Sequence, residues 1–254
     1  MSDGLVDVTV EGNVANVMLR DSARRNPLSD AMIDALTTAL RTSEVHAASV
    51  VVLRGEGGFF SAGGDLAQFH ASLTTDAMSE YEATESFRVL FQVLESVPGL
   101  VLAVVEGKAL GGGCGLAAAC DLVLAPHSAK FGCPEINIGA FPMVIVPPLV
   151  RAIGARATLA LSATGTQIDA TEARRLGLVT EVFVDDEFED EVAEFVKRMG
   201  SRPRHALTLG KATVRSAQTS SYDEGLLMGS VMRALVFAQP SFHDGVSEFV
   251  ARTR

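Results

Sequence analysis

The chain contains no tryptophan and only two tyrosines. Stacking platforms for exposed bases are therefore poorly supplied. Basic residues are also short: 21 Lys and Arg face 31 Asp and Glu, for a net charge of −10. A surface of that sign argues against nucleic acid as a partner, and any anionic ligand must find a local basic patch. Cysteine is sparse as well. Cys114, Cys120 and Cys133 are odd in number and form no spaced framework, which reads as reduced thiols in a cytoplasmic protein. No CxxC or HExxH pairing occurs and the five histidines are scattered, so no metal site is expected. The longest apolar runs, such as Leu100 to Val105, have strand length, and no membrane partner is expected. The start, Met1-Ser2-Asp3-Gly4, lacks a basic-then-apolar segment, so no secretory signal is expected.

What is present is a chain of 254 residues, 48% hydrophobic and 20% charged. That suits one large domain, or a domain with an appendage. Val6 to Val10 alternates, Glu11-Gly12-Asn13 turns, and Val14 to Leu19 is apolar, which is a hairpin pattern. Met32, Ile33, Leu36 and Leu40 fall at helical spacing behind a Ser29 or Asp30 N-cap. Residues 49–54 and 100–105 are buried-strand types, and 121–125 reads as a third strand. A single amphipathic helix is expected over about 79–97, closed by Pro98-Gly99. Strand–helix–strand order at this spacing gives α/β units with parallel pairing. From Glu187 onward the pattern turns helical: 187–200, 203–217, 223–237 and 244–252 read as successive helices. The acidic run Glu187 to Glu191 reads as a solvated helix start.

Three short stretches carry chemistry. Phe60-Ser61-Ala62-Gly63-Gly64-Asp65-Leu66 follows a strand, and its glycines permit close backbone approach to a ligand. An ordinary strand-to-helix turn with Asp65 as N-cap is the structural alternative. Gly111-Gly112-Gly113-Cys114-Gly115 follows a buried strand and opens a helix of small residues over 116–120. Free N–H groups and the positive end of the dipole at such a start favour anions. Neither loop is a dinucleotide fingerprint or a P-loop. Glu135 lies in Phe131-Gly132-Cys133-Pro134-Glu135-Ile136, among apolar, small and rigid neighbours. Desolvation there raises a carboxyl pKa and suits proton transfer. A structural glutamate, capping a helix or paired with arginine, is the other reading. Two backbone donors and one carboxylate suffice to make and quench an enolate.

Taken together, these stretches resemble the crotonase superfamily, the enoyl-CoA hydratase/isomerase family. Further landmarks are Arg25-Asn26-Pro27-Leu28, Val104 to Cys114, Cys120-Asp121, Ala129-Lys130-Phe131-Gly132 and Leu176-Gly177-Leu178-Val179. The resemblance covers nearly the whole chain. It implies an α/β fold, a crotonase-like spiral of repeated ββα units over residues 1–186, followed by a C-terminal helical trimerisation region over 187–254. It implies acyl-CoA substrates, with no metal or redox cofactor and coenzyme A present only as part of the thioester. Gly64 and Gly112 would hold the enolate oxygen and Glu135 would carry the proton. Arg24 and Arg25, beside Arg20, would contact the CoA moiety with Ala62, Asp65 and Leu66. Phe249 and Arg252 would approach the CoA of a neighbouring subunit in a homotrimer or homohexamer.

The chain departs from the hydratase pattern at one place. Hydratases of the family carry a first glutamate directly after the cysteine of the glycine loop, and here that position is Gly115. A lone Glu135 can still move a proton between two carbons, so the expected reaction is isomerisation of a 3-enoyl-CoA to a 2-enoyl-CoA. A hydratase, a lyase or decarboxylase using the same donors, and a non-catalytic acyl-CoA-binding or assembly protein are the alternatives. Glu106, replacing an asparagine common in the family, is expected to serve loop structure.

Overall fold

The structure, a computed structural model, describes residues 4–253. Met1, Ser2 and Asp3, part of the segment read above as carrying no secretory signal, lie outside the described residues, as does Arg254. The strands are β1 (Val6–Glu11), β2 (Val14–Leu19), β3 (Pro27–Leu28), β4 (Val50–Gly55), β5 (Gly63–Gly64), β6 (Leu100–Val104), β7 (Lys108–Leu110), β8 (Leu122–Pro126), β9 (Lys130–Gly132), β10 (Gln167–Asp169) and β11 (Glu181–Phe183). The helices are α1 (Asp30–Leu40), α2 (Ser43–Ala47), α3 (Leu66–Ser72), α4 (Ala77–Ala83), α5 (Glu85–Ser96), α6 (Gly112–Ala119), α7 (Val146–Thr164), α8 (Ala170–Leu176), α9 (Phe188–Gly200), α10 (Arg204–Ala217), α11 (Tyr222–Phe237) and α12 (Pro240–Arg252).

The main sheet runs β1-β2-β4-β6-β8-β11. Its first pair is the antiparallel hairpin, and the remaining pairs are parallel. Period-two burial divides its side chains. Val51, Leu53, Val101, Ala103, Val123 and Ala125 join the core that includes α1, α5 and α6. Val50, Val52, Leu102, Val104 and Leu124 point the other way, onto Phe188, Val192 and Phe195 of α9. Those three α9 residues recur at helical spacing, so the helix that follows the last strand covers the sheet's second face. The acidic first turn of α9 is solvated, and there Glu189 pairs with Arg54 at 2.9 Å.

A smaller layer forms beside the main sheet. β3 pairs β5, a bridge joins Ser61 to Ala109 of β7, and β9 and β10 follow. Each turn of the chain therefore crosses the large sheet, then the small layer, then enters a helix: β4-β5-α3, β6-β7-α6 and β8-β9-α7. This is the ββα spiral. It places the starts of α3 and α6 and the Glu135 segment after consecutive strands of the small layer.

One expectation is corrected. The helix expected over 79–97 is two helices, α4 and α5, divided at Thr84. The Thr84 hydroxyl donates to the Tyr81 carbonyl at 2.8 Å, and the Thr84 N–H bonds the same carbonyl at 3.2 Å. That side-chain bond offers the backbone an alternative to the helical ladder. The segment Met143–Thr164, by length and composition alone, is apolar enough to cross a membrane, although it contains no long unbroken apolar run. Alanines and scattered leucines disguise it in the sequence. It carries Arg151 and Arg156, kinks at Gly154 (φ 75°), and buries Leu149, Ile153 and Leu161 in the core.

Asp121 fastens the helical tail to the sheet. Its carboxylate accepts from Lys211 at 2.5 Å, Arg215 at 2.9 Å and the Val101 N–H at 2.8 Å. Lys211 also donates to the Val97 and Gly99 carbonyls, so its buried ammonium is fully partnered. By contrast, α11 and α12 bury no residue within the chain.

Candidate active site

The two glycine loops lie against each other. Gly63 has φ +88°, and a β-carbon there would fall 2.4 Å from the Leu110 carbonyl oxygen and 3.0 Å from the Gly112 nitrogen. Only glycine allows that approach. Ser61 latches the pair: its hydroxyl donates to the Asn26 carbonyl at 2.7 Å and accepts from the Gly63 N–H at 3.1 Å. Asn26, fully buried, holds the incoming strand by donating to the Glu56 and Phe59 carbonyls. The Gly111 N–H is used as well, donating to the Gly132 carbonyl at 2.8 Å. Gly112 is the first residue of α6, where helix geometry supplies no acceptor for its N–H.

Glu135 stands on a single 3₁₀ turn, Pro134–Ile138, opened by Pro134 and closed by Gly139 in the left-handed region. Its carboxylate presses on Gly111: a β-carbon there would sit 2.6 Å from Glu135 Oε1. Oε2 is buried and has no hydrogen-bond partner among the described residues. Burial holds this carboxyl above the ordinary carboxylate range, against a weaker opposing bond from its own backbone N–H. Among the described residues no arginine pairs with it. An unpartnered, desolvated carboxylate against a glycine loop is costly as structure and useful as a proton carrier.

The space beyond Gly115 is filled. A β-carbon at Gly115 would lie 2.2 Å from Ile145 Cγ2 and 2.4 Å from Ile145 Cβ. Ile145 is 3% exposed and belongs to the core. Cys114, next in the loop, is buried beside Cys133. Their thiol–thiol hydrogen bond, together with burial, pushes the Cys114 thiol well above its ordinary range.

A cavity of about 430 Å³ opens over Gly64, Gly111 and Glu135. Of the candidate site residues, Arg24, Ala62, Gly64, Asp65, Leu66 and Glu135 line it, and Gly112 does not. Pro27, Phe69, Gly111, Pro134, Asn137 and Ile138 complete the wall. Of the arginines expected to meet CoA, Arg24 reaches the cavity but is held by Asp21 and by Asp65 at 2.8 Å. Asp65 is also the N-cap of α3, accepting from Ala67 at 2.9 Å. Arg25 turns away; its guanidinium lies over the Phe59 ring. Glu106 sits outside the cavity, lifted by burial and steadied by Arg54, while its carbonyl accepts the Phe60 N–H. Phe249 and Arg252 also lie outside this cavity. Both are exposed on α12, Phe249 beside a separate apolar cleft and Arg252 paired with Glu248. The sequence reading did not single out Phe69 or Ile145. Nothing local marks Ile145, which reaches Gly115 from a distant segment; Phe69 lies close in sequence to Gly64, but its seat depends on how α3 starts.

A ββα spiral that folds two glycine loops against one buried carboxylate defines the crotonase class of protein. The likeness to solved structures is close. The enoyl-CoA hydratase of Mycobacterium smegmatis superposes with a TM-score of 0.92 at 28% identity, over 98% of this chain and 97% of that one. Human enoyl coenzyme A hydratase domain-containing protein 3 gives 0.88 at 26% identity, over 98% of each chain. Residues 9–254 match the enoyl-CoA hydratase/isomerase family, and the chain belongs to it. The 2,3-dehydroadipyl-CoA hydratase of Escherichia coli is 30% identical over 249 residues, 96% of this chain and 95% of that protein. The protein is thus a crotonase-family acyl-CoA enzyme.

Proposed function

We propose that the protein isomerises a 3-enoyl-CoA to a 2-enoyl-CoA with Glu135 as its sole proton carrier. Gly64 and Gly112 donate their N–H groups to the thioester oxygen. Ionised Glu135 takes a proton from C2, and the electron pair flows to that oxygen to give a dienolate. The same carboxyl returns the proton at C4. The electron pair collapses back from oxygen, and the double bond comes to rest between C2 and C3. Nothing is added to the substrate or removed from it.

The observation that carries this reading is Ile145 packed onto Gly115. Water addition is favoured by a second carboxylate that holds the water, and Ile145 leaves no room for a side chain at Gly115. The buried, unpartnered Glu135 supports the rest, since desolvation raises its pKa and makes it a stronger base toward a carbon acid. The names of the relatives favour hydration as the second reading, with Glu135 acting without a carboxylate partner. The protein assembles as a trimer or hexamer, which brings Phe249 and Arg252 toward a neighbouring subunit's CoA.

The test is Glu135→Gln, which keeps shape and removes the base. Double-bond migration should fall roughly 10²–10⁴-fold with acyl-CoA affinity little changed. Full activity in the variant would remove Glu135 from the chemistry.

A further inference from the structure

Helix α3 and its C-cap carry Leu66, Phe69 and Leu73 at helical spacing, yet the helix buries no residue at all. An apolar stripe of that kind ordinarily packs on a core. Here Leu66 and Leu73 stay open, 69% and 76% exposed, while Phe69, itself 45% exposed, rests one edge of its ring on the chain. The seat of that edge is Gly64. The Phe69 ring atoms Cζ, Cε2 and Cε1 would lie 2.3, 2.9 and 3.2 Å from a Gly64 β-carbon. The ring therefore rests on the α-carbon of a residue assigned above to the thioester oxygen, and any side chain at position 64 would push it off. Its placement is fixed from below. The Phe69 N–H donates to the Asp65 carbonyl at 3.0 Å, the Asp65 carboxylate caps α3, and Arg24 pins that carboxylate at 2.8 Å.

We propose that Phe69 is a specificity-determining residue, its ring seated on Gly64 so that the site takes a short apolar acyl group and turns away longer ones. This rests on the acyl-thioester reading of the cavity. The ring covers the carbonyl end of the acyl subsite, and an acyl chain leaving Gly64 along α3 must compete with it for the same apolar wall, formed with Leu66 and Ile138. The absence of a β-carbon at Gly64 and the presence of a ring at Phe69 are two halves of one device.

The experiment measures binding of two unreactive probes, butyryl-CoA and decanoyl-CoA, by calorimetry. It uses the parent, Phe69→Ala, Phe69→Leu, Gly64→Ala and the Gly64→Ala/Phe69→Ala double variant, with circular dichroism as the folding control. The parent should prefer butyryl-CoA. Phe69→Ala should shift the decanoyl-to-butyryl affinity ratio at least about tenfold toward the longer chain, the scale of a few methylenes in an apolar pocket, with Phe69→Leu intermediate. Gly64→Ala should move the ratio the same way and add little to Phe69→Ala, because both remove the same contact. A parent that binds both probes, with a ratio unchanged in well-folded Phe69→Ala and Phe69→Leu proteins, would overturn the role of the ring and leave the acyl-CoA reading standing. Independent, multiplying effects of the two single changes would overturn it too. A parent that binds neither probe would overturn the acyl-thioester reading itself, and this proposal with it.

Discussion

Ile145 occupies the place that a side chain at Gly115 would need: the missing β-carbon would meet Ile145 Cγ2 at 2.2 Å. The glycine and the isoleucine therefore act as one unit, and the site cannot gain a second carboxylate by changing Gly115 alone. Gly115→Glu by itself should destabilise the protein by about 1–3 kcal/mol through overpacking, read as a lower urea midpoint, with no gain in water addition. Gly115→Glu with Ile145→Ala opens the room, and crotonyl-CoA hydration should rise above that of Ile145→Ala alone. A well-folded double variant with no such rise would show that the space beyond Gly115 does not face the substrate.

The raised pKa of Glu135 makes two pH predictions of opposite sense. Proton abstraction needs the ionised carboxylate. The kcat/KM for double-bond migration should therefore be full above the folded-state pKa and fall on acidification at a higher pH than an unperturbed glutamate, about 4.3, would give. Stability runs the other way. The native state binds this proton more tightly than the unfolded chain, so the stabilisation is complete below the unfolded value and is lost as pH rises through the folded one. Glu135→Gln should thus unfold at higher urea than the parent near neutral pH, with the difference shrinking on acidification. An equal difference at all pH values would argue against a buried, ionising Glu135.

Gly112→Pro removes one N–H donor at the first position of α6, where proline is tolerated. Its β-carbon would meet Leu28 Cδ1 at 3.3 Å and Phe87 Cε1 at 3.5 Å, a tight but accommodating fit. Turnover should fall by a factor corresponding to about 3 kcal/mol, with acyl-CoA binding weakened less. Steady-state kinetics alongside circular dichroism decides the matter. Unchanged turnover in a folded variant would take this loop out of the mechanism.

Leu226, Leu227, Val231 and Leu235 are exposed on α11, which buries nothing within its own chain. Light scattering at micromolar concentration should report a trimer or a hexamer. A stable monomer would contradict the assembly and the placement of Phe249 and Arg252 near a neighbour's CoA.

What local pattern encodes, the sequence displayed. The β1–β2 hairpin, the Ser29 cap of α1, the buried strands β4 and β6 and the helices of the tail follow from period, caps and turn residues. The Gly63-Gly64 and Gly112 loops and the apolar setting of Glu135 were legible for the same reason. The break at Thr84 was hidden because it turns on one side-chain bond to Tyr81. Helix α7 was hidden by its small residues and the kink at Gly154. Ile145 over Gly115 was hidden because only the folded chain brings those segments together, and Phe69 over Gly64, though close in sequence, because its seat depends on the angle at which α3 leaves β5.

The most direct test of a single-carboxylate isomerase follows two reactions of the unmodified protein side by side. One is double-bond migration in 3-hexenoyl-CoA, and the other is water addition to crotonyl-CoA. Migration that clearly outpaces hydration, and that is lost in Glu135→Gln, is the predicted result. Rapid hydration of crotonyl-CoA with no migration would contradict it, because some other group would then be activating water despite Ile145.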